Sequence, residues 1–334
     1  MADADAWVIG PIHLRYRLGP YTLHRRRMTF AVRDVHFSLL PADPDAIRPP
    51  FERYGSEIAG ALVPGQPMGD RLAFPRISLL PDAIRYVPTQ GIRYYVELSG
   101  SFEGYLAKFS SKTRSTLKRK VRRLAERSGG SVDWREYRTP EELDAFYALA
   151  RTVAARTYQE QLLDAGLPET PDFQEELRTL ARAGNARGYL LFLDGRPIAY
   201  LFCPLQQGAV LYEHLGYDPV HRELSPGTVL QYHVLERLFA EGIHSVFDFT
   251  EGEGEHKRLF STSAQRCADV YLFRRTVANA LTVAVHAALA ALTRAGGAVL
   301  GRAGLRDRVR RHLRWRHVAR ATPGPAIAPP PPPS

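Results

Sequence analysis

Cysteine is scarce in this sequence: Cys203 and Cys267 are the two in 334 residues. A pair so far apart has neither metal-ligand spacing nor the disulfide framework of a secreted domain. A reducing, cytoplasmic compartment and no metal are therefore expected. The common short catalytic signatures are missing as well. There is no dinucleotide fingerprint, Walker loop, His-Glu-x-x-His or Gly-x-Ser-x-Gly, which sets aside the usual nucleotide-binding, zincin and hydrolase readings. Met1 to Arg17 lacks a basic stretch leading into an apolar one, so no signal peptide is expected. The longest apolar segment, Thr276 to Leu292, falls short of the roughly 20 residues that cross a bilayer. Acidic residues are nearly absent from two stretches. Residues 275–334 carry ten Arg against Asp307, and residues 112–127 carry eight Lys or Arg against Glu126. The net charge is +10, so the remainder of the chain is mildly acidic. Two basic zones on such a body point to an anionic partner, whether CoA, nucleic acid or a lipid surface. The plainer reading of either zone is a solvated helix face.

What is present is enough apolar residue, 45%, to bury the core of one large or two ordinary domains. Residues 1–40 give strand-like pieces such as Thr29 to Leu40. Pro41 to Gln90 reads as irregular, with a helix expected around Phe51 to Leu62. Ile92 to Leu98 alternates as a strand, and Ser101 caps a short helix. The basic helix that follows ends at Gly129-Gly130, with Leu117, Val121 and Leu124 on one stripe. Val132 to Tyr137 is a strand. Thr139-Pro140-Glu141-Glu142 is a strong helix start, and a further helix begins near Asp172. Three strands joined by tight turns then follow: Arg187 to Leu193, Pro197 to Leu205 and Val210 to Leu215.

The chain is organised around Val210 to Lys257. The third strand ends in Gly216-Tyr217-Asp218-Pro219. A loop then opens a helix, with Ser225 as N-cap, Pro226 in the first helical position and Gly227 allowing close backbone approach. Val229, Leu230, Val234, Leu238 and Phe239 recur at helical spacing, and Gly242 ends the helix. A short strand, Ser245 to Phe249, delivers Asp248 into an acidic glycine-containing loop. A helix N-terminus with open N–H groups suits an anion such as a pyrophosphate. Arg222, just before the cap, adds a charged fork. A plain cap accounts for the same residues.

Arg222-x-x-Ser225-x-Gly227 resembles the acyl-CoA loop of the GNAT N-acyltransferase superfamily, with Ser225 in place of the first glycine. Gly216-Tyr217-Asp218, Ser225-Pro226-Gly227 and Asp248-Phe249-x-x-Gly252 followed by Lys257 resemble one branch more closely. That branch is the acetyltransferase domain of cellulose-biosynthesis-type proteins, related to the Fem-type aminoacyl transferases. The basic helix of residues 112–127 has a pattern typical of it. His256 stands where the branch carries Tyr.

The resemblance implies an α/β fold with a GNAT-like mixed, mostly antiparallel sheet flanked by helices. Residues 101–274 would form the acyltransferase domain, and residues 1–100 a degenerate version of the first lobe of Fem-type enzymes. Residues 275–320 would be an apolar then arginine-rich helical tail, and 321–334 a disordered proline tail. Acetyl-CoA or another acyl-CoA would lie where Val210–Leu215 and Ser245–Phe249 splay apart. Its pyrophosphate would rest on Arg222, Leu224, Ser225, Gly227 and Thr228.

A base near neutral pKa helps an amine acceptor lose its proton. Asp248 is the first choice and Glu253 the second; Glu213, His214 and Glu251 lie nearby. His256 would serve as acid toward the thiolate, and Lys257 would bind phosphate or steady an oxyanion. Each has a bland counterpart: Asp248 as a turn cap, His214 as a core histidine, Lys257 as a surface lysine. The acceptor would be a small molecule or saccharide, linked to polysaccharide or cell-envelope biosynthesis, with residues 276–320 lying on the inner face of the membrane. The competing readings are a Fem-type transferase fed by aminoacyl-tRNA and a non-catalytic membrane-surface binding module.

Overall fold

The computed structural model describes residues 7–302 except 20, 44, 45, 48, 72, 158–165 and 253. The chain falls into two units. The larger holds residues up to Leu14 together with Arg27–Val283; the smaller holds Arg15–Arg26 and the residues from Ala284 onward.

Strands β1 (Trp7–Leu18), β2 (Tyr21–Arg33), β3 (Gly60–Pro67), β4 (Ile77–Leu79), β5 (Ala83–Tyr86) and β6 (Gln90–Glu97) come first. Helices α1 (Phe102–Ala107) and α2 (Ser111–Arg127) precede β7 (Trp134–Tyr137), α3 (Pro140–Ala154) and α4 (Pro171–Arg182). The meander β8 (Ala186–Leu193), β9 (Arg196–Gln206), β10 (Ala209–Leu211) and β11 (His214–Tyr217) leads to α5 (Pro226–Glu241). Then come β12 (Val246–Asp248), α6 (Glu255–Phe260), β13 (Ser263–Arg274) and α7 (Val277–Arg302).

One sheet runs β1-β2-β3-β13-β6-β12-β10-β9-β8-β7, with β11 added to β9 and β4–β5 added to β13. Among the described pairings, β2–β3 and β10–β12 are parallel and the others antiparallel. This is the mixed, mostly antiparallel sheet flanked by helices that the resemblance implied.

The local signals explain the helices that cover the sheet. Thr139 accepts the Glu142 N–H through its side chain while the Glu142 carboxylate takes the Thr139 N–H, so a reciprocal capping box starts α3. Gly242, at φ 63°, closes α5 in the left-handed region. On one face of the sheet Val229, Leu230, Val234 and Leu238 of α5 pack into a core with Tyr189, Leu191 and Leu201. On the other, Phe146 and Val153 of α3 and Leu177 of α4 pack with Leu190, Phe192 and Phe202. Neighbouring residues of β8 are thus buried on opposite faces, so the strand reads as a continuous apolar run. Gly188 lets the Phe146 ring sit on the strand, because a Cβ there would lie 2.5 Å from it.

Three expectations are corrected. The boundary near residue 100 does not divide the fold: β3, β5 and β6 all pair with β13, and β6 lies between β13 and β12. The segment Phe51 to Leu62 is not one helix: an α-helical turn, Phe51–Tyr54, ends at Gly55, φ 51°, a 3-10 turn covers Gly55–Glu57, and Gly60 starts β3. The apolar segment after Arg274 is longer than its composition suggested. Helix α7 passes through Arg294, and Val277–Gly296 is long and apolar enough to cross a membrane, with mean hydropathy 1.3 and 17% of that stretch buried. In the smaller unit, the Gly19 N–H donates to Thr293 Oγ1 at 3.0 Å and Tyr16 meets His286 edge-on at 5.3 Å. The arginine-rich residues 303–320 and the proline tail lie outside the described residues.

Candidate functional site

The site begins where two strands part. β10 runs parallel to β12 from Ala209↔Val246 to Leu211↔Asp248, and the last bond is Tyr212 N–H to Asp248 C=O at 2.8 Å. The first chain then leans onto β9. Glu213 N–H reaches Phe202 C=O at 3.3 Å, and β11 pairs with β9 alone, from His214↔Phe202 to Tyr217↔Ala199. What reads as one strand, Val210 to Leu215, is therefore two. Gly216 allows the turn onto β9, since a Cβ there would come within 2.4 Å of the Tyr200 ring. Across the gap the chain turns at Thr250, φ 58°. The Thr250 hydroxyl donates to Tyr212 C=O at 3.1 Å and pins the apex of the wedge.

A cavity of about 530 Å³ fills this wedge. Arg222, Ser225, Gly227 and Thr228 line one end of it. Asp218 takes the Val220 N–H at 3.0 Å and pairs with Arg156 at 3.0 Å, which fixes the turn Pro219–Leu224 ahead of α5. Ser225 is not a side-chain cap. Its backbone is left-handed, φ 53°, and its carbonyl, not its hydroxyl, receives the Thr228 and Val229 N–H groups. Gly227 is the second residue of α5, so no helical carbonyl precedes it to take its N–H. Leu224 is 5% exposed, packs in the core and is not in the lining. One turn beyond Gly227, Gln231 also lines the cavity. It is 3% exposed, and among the described residues its Nε2 has no hydrogen-bond partner. An open peptide N–H, an unmet amide donor and a guanidinium fit a long phosphate- and amide-bearing ligand.

Asp248 is placed differently from the sequence expectation. It is fully buried and outside the lining. One carboxylate oxygen receives Arg93 Nε at 2.9 Å and faces His36 Nε2 at 3.4 Å, while the other takes the Thr250 N–H at 2.8 Å. It closes the turn after β12 and neutralises Arg93.

Lys257 and His256 do line the cavity. Lys257 Nζ donates to the carbonyls of Phe249 at 2.7 Å and Glu251 at 2.6 Å, and burial lowers its pKa. Burial, then the charge of Lys257, lowers that of His256. Glu253 lies outside the described residues.

Two groups on the first strand of the wedge are more strongly tuned. The Glu213 side chain is 45% exposed, toward the cavity, with protein packed densely around it. That burial, with the charge of Glu176, pushes it up to about 7. Burial lowers the neighbouring His214 to about 4, so its imidazole is neutral at pH 7. Glu251, on the other side of the gap, is raised by burial and then by the charge of Asp269.

Sequence reasoning passed over Gln231, Tyr200, Arg93 and His36. Gln231 carries a signal, because a residue four after Gly227 shares its helix face. Arg93 and His36 carry none, being 155 and 212 residues from Asp248.

The basic helix α2 stands beside this region. Arg123 donates to Glu223 C=O at 3.2 Å. Thr113 and Lys120 line a neighbouring hollow of about 660 Å³ that shares Thr228 and His256 with the first cavity. Among the described residues no group of three His, Cys, Asp or Glu is placed to hold a metal ion.

Residues 111–258 match the family of the acetyltransferase (GNAT) domain. No curated protein matches the chain. Similar solved structures include FemX, at 13% identity over 82% of this chain and 86% of that one, TM-score 0.49. Another is the C-terminal domain (DUF2156) of a putative lysylphosphatidylglycerol synthetase from Agrobacterium fabrum, at 11% identity over 75% of each chain, TM-score 0.45. A third is a GCN5-related N-acetyltransferase from Kribbella flavida, at 15% identity over 58% of this chain and 62% of that one, TM-score 0.31.

Proposed function

We propose that this chain, whose residues 111–258 match the family of the acetyltransferase (GNAT) domain, is a transferase that moves an acyl group, acetyl first among them, from acyl-CoA to an amine or hydroxyl acceptor. The observation that carries this reading is the wedge. β10 and β12 part after Leu211↔Asp248, and the gap ends at the open N–H of Gly227 beside Arg222. Bound there, acyl-CoA supplies an activated thioester. Arg222, Gly227 and Thr228 would hold its phosphates, and the Gln231 amide would meet a polar group of its arm. Such positioning, with the aromatic rings of Tyr212 and Phe260 along the cavity, is the main contribution a transferase of this kind needs from its protein.

For the proton acceptor we propose Glu213 in place of Asp248. A carboxyl raised to about 7 suits proton uptake near neutral pH, whereas Asp248 is held by Arg93 and His36. The motif resemblance supports a saccharide or cell-envelope precursor as acceptor. The exposed apolar length of α7 supports a site of action at a membrane surface.

Calorimetry with acetyl-CoA on the wild type and on Gly227→Asp tests the donor. A Cβ at Gly227 would lie 3.3 Å from the Leu215 side-chain end, which must give slightly, so Gly227→Ala is the control that separates this crowding from the repulsion of phosphate by the added carboxylate. Micromolar binding by the wild type and none by Gly227→Asp is expected. Absence of binding to a folded wild type would overturn the donor assignment and make charged tRNA the next donor to try.

A further inference from the structure

The smaller unit is a hairpin end packed on a helix. β1 and β2 are neighbours in the sheet and are joined through Gly19 and Pro20, a link so short that the two strands must run antiparallel. From Arg15 to Arg26 and from Ala284 to Arg302 there are six Arg and no Asp or Glu. Tyr16 is 8% exposed and turned inward, its ring 5.8 Å from His24 and 5.3 Å from His286 of α7. Successive residues of a strand point to opposite faces. Arg15 and Arg17 therefore share the face away from Tyr16, and Tyr21, Leu23 and Arg25 the face away from His24. All five are exposed, Tyr21 by 60% and Leu23 by 59%. Among the described residues no ion pair holds Arg15, Arg17 or Arg25.

The hairpin runs beside the second half of the apolar stretch of α7. Tyr16 meets His286, and at the tip Thr293 Oγ1 takes the Gly19 N–H at 3.0 Å and donates to Arg17 C=O at 3.3 Å. His286 and Thr293 are two turns apart on one helix face. Val285 and Leu292, one residue before each, flank that face and are exposed. By length and hydropathy alone α7 could cross a membrane. The hairpin argues against it, because in hydrocarbon its arginines and the open edge of β1 would find no partner. At a bilayer surface every one of these groups is accommodated, the arginines on phosphates and the Tyr and Leu side chains at the acyl boundary. Nucleic acid would match the arginines but leave Leu23, Val285 and Leu292 nothing apolar to bury against. A second copy of this acid-free surface would repel the first.

We propose that the hairpin of residues 15–26 and α7 make one docking surface that lies on an anionic lipid bilayer and does not cross it. Arg15, Arg17 and Arg25 take lipid phosphates, while Tyr21, Leu23, Val285 and Leu292 enter the boundary between headgroups and acyl chains. The proposal rests on the reading of a membrane surface as the site of action. It adds the hairpin as a lipid-binding element, replaces a spanning anchor by a peripheral one, and does not depend on which acyl donor fills the wedge.

Co-sedimentation of the full chain with vesicles of phosphatidylcholine, alone or mixed with phosphatidylglycerol, tests it. The wild type is expected to bind the mixed vesicles, more weakly as salt rises. Arg17→Gln with Arg25→Gln should weaken that binding by about tenfold or more, since each arginine near an anionic surface contributes roughly fivefold. Tyr21→Ser with Leu23→Ser should weaken it by about tenfold through lost apolar burial. The four side chains are exposed, so thermal melting is expected to stay as in the wild type, and a pair that melts early leaves the decision to the other. A folded pair that binds like the wild type would remove the hairpin from the surface and overturn the proposal while the membrane reading of α7 stands. Equal binding to the two vesicles would also overturn it, and a wild type that binds neither would overturn both readings. Retention in cell membranes through an alkaline carbonate wash would show a spanning helix instead. Binding of tRNA, or self-association, lost in the same variants of a chain that ignores vesicles, would give the surface to nucleic acid or to a second copy.

Discussion

At the scale of single residues, the difference between Asp248 and Glu213 is one of surroundings. Both are carboxylates at the end of a strand in the wedge. Asp248 meets Arg93, His36 and a backbone N–H; Glu213 meets a protein wall and the charge of Glu176. Charge partners favour ionisation and burial opposes it, so Glu213 is the group poised near neutrality. The ionised form is the one that accepts a proton, and it gains population as pH rises through about 7. Turnover under saturating acyl-CoA is therefore expected to climb through that pH and level off above it. In Glu213→Gln the climb should vanish and the plateau fall by about 10²–10⁴-fold. A pH–rate profile of both proteins checks this, and a variant that keeps the wild-type limb would assign the proton to another group.

At the scale of elements, the cavity exists because β9 holds β11 while β12 stops. Pairing with β12 ends at Leu211, and the following residues answer to Phe202, Leu201, Tyr200 and Ala199. Gly216 is the residue this transfer depends on, with the Tyr200 ring where a side chain would be. Gly216→Ala is expected to destabilise the protein by about 1–3 kcal/mol and to weaken acyl-CoA binding, because β11 must back away from β9 into the gap. Adding Tyr200→Leu should recover part of both losses. Urea unfolding and calorimetry of the two single variants and the double variant measure the coupling; simple additivity would show that the two residues do not meet as described. The start of α5 belongs to the same scale. Its residue types are those of an ordinary cap, yet Ser225 adopts a left-handed backbone and leaves its hydroxyl out of the capping.

At the scale of the whole molecule, α7 adds an apolar surface that the transferase fold does not use. Leu281, Val285 and Leu292 are 64%, 44% and 60% exposed on it, and their spacing places them on related turns. Their joint replacement by Glu is expected to abolish binding to vesicles containing anionic lipid while leaving turnover of a soluble acceptor unchanged. Co-sedimentation at low and high salt, beside a turnover assay, tests this; retained vesicle binding would move the contact elsewhere in the chain.

The sequence by itself determined the order of strands and helices from Phe102 to Asp248, apart from the break between β10 and β11, together with the helix start at Thr139 and the Gly242 stop. These depend on neighbours a few residues apart, where propensity and hydrogen bonding are local. Tertiary structure alone decided that residues 60–97 join the same sheet and that Asp248 pairs with Arg93. Each of those results depends on residues far apart in the chain. β13 gathers β3, β5 and β6, and Arg93 and His36 converge on Asp248. A carboxylate's burial and partners set its chemistry, and neither is written in the residues beside it.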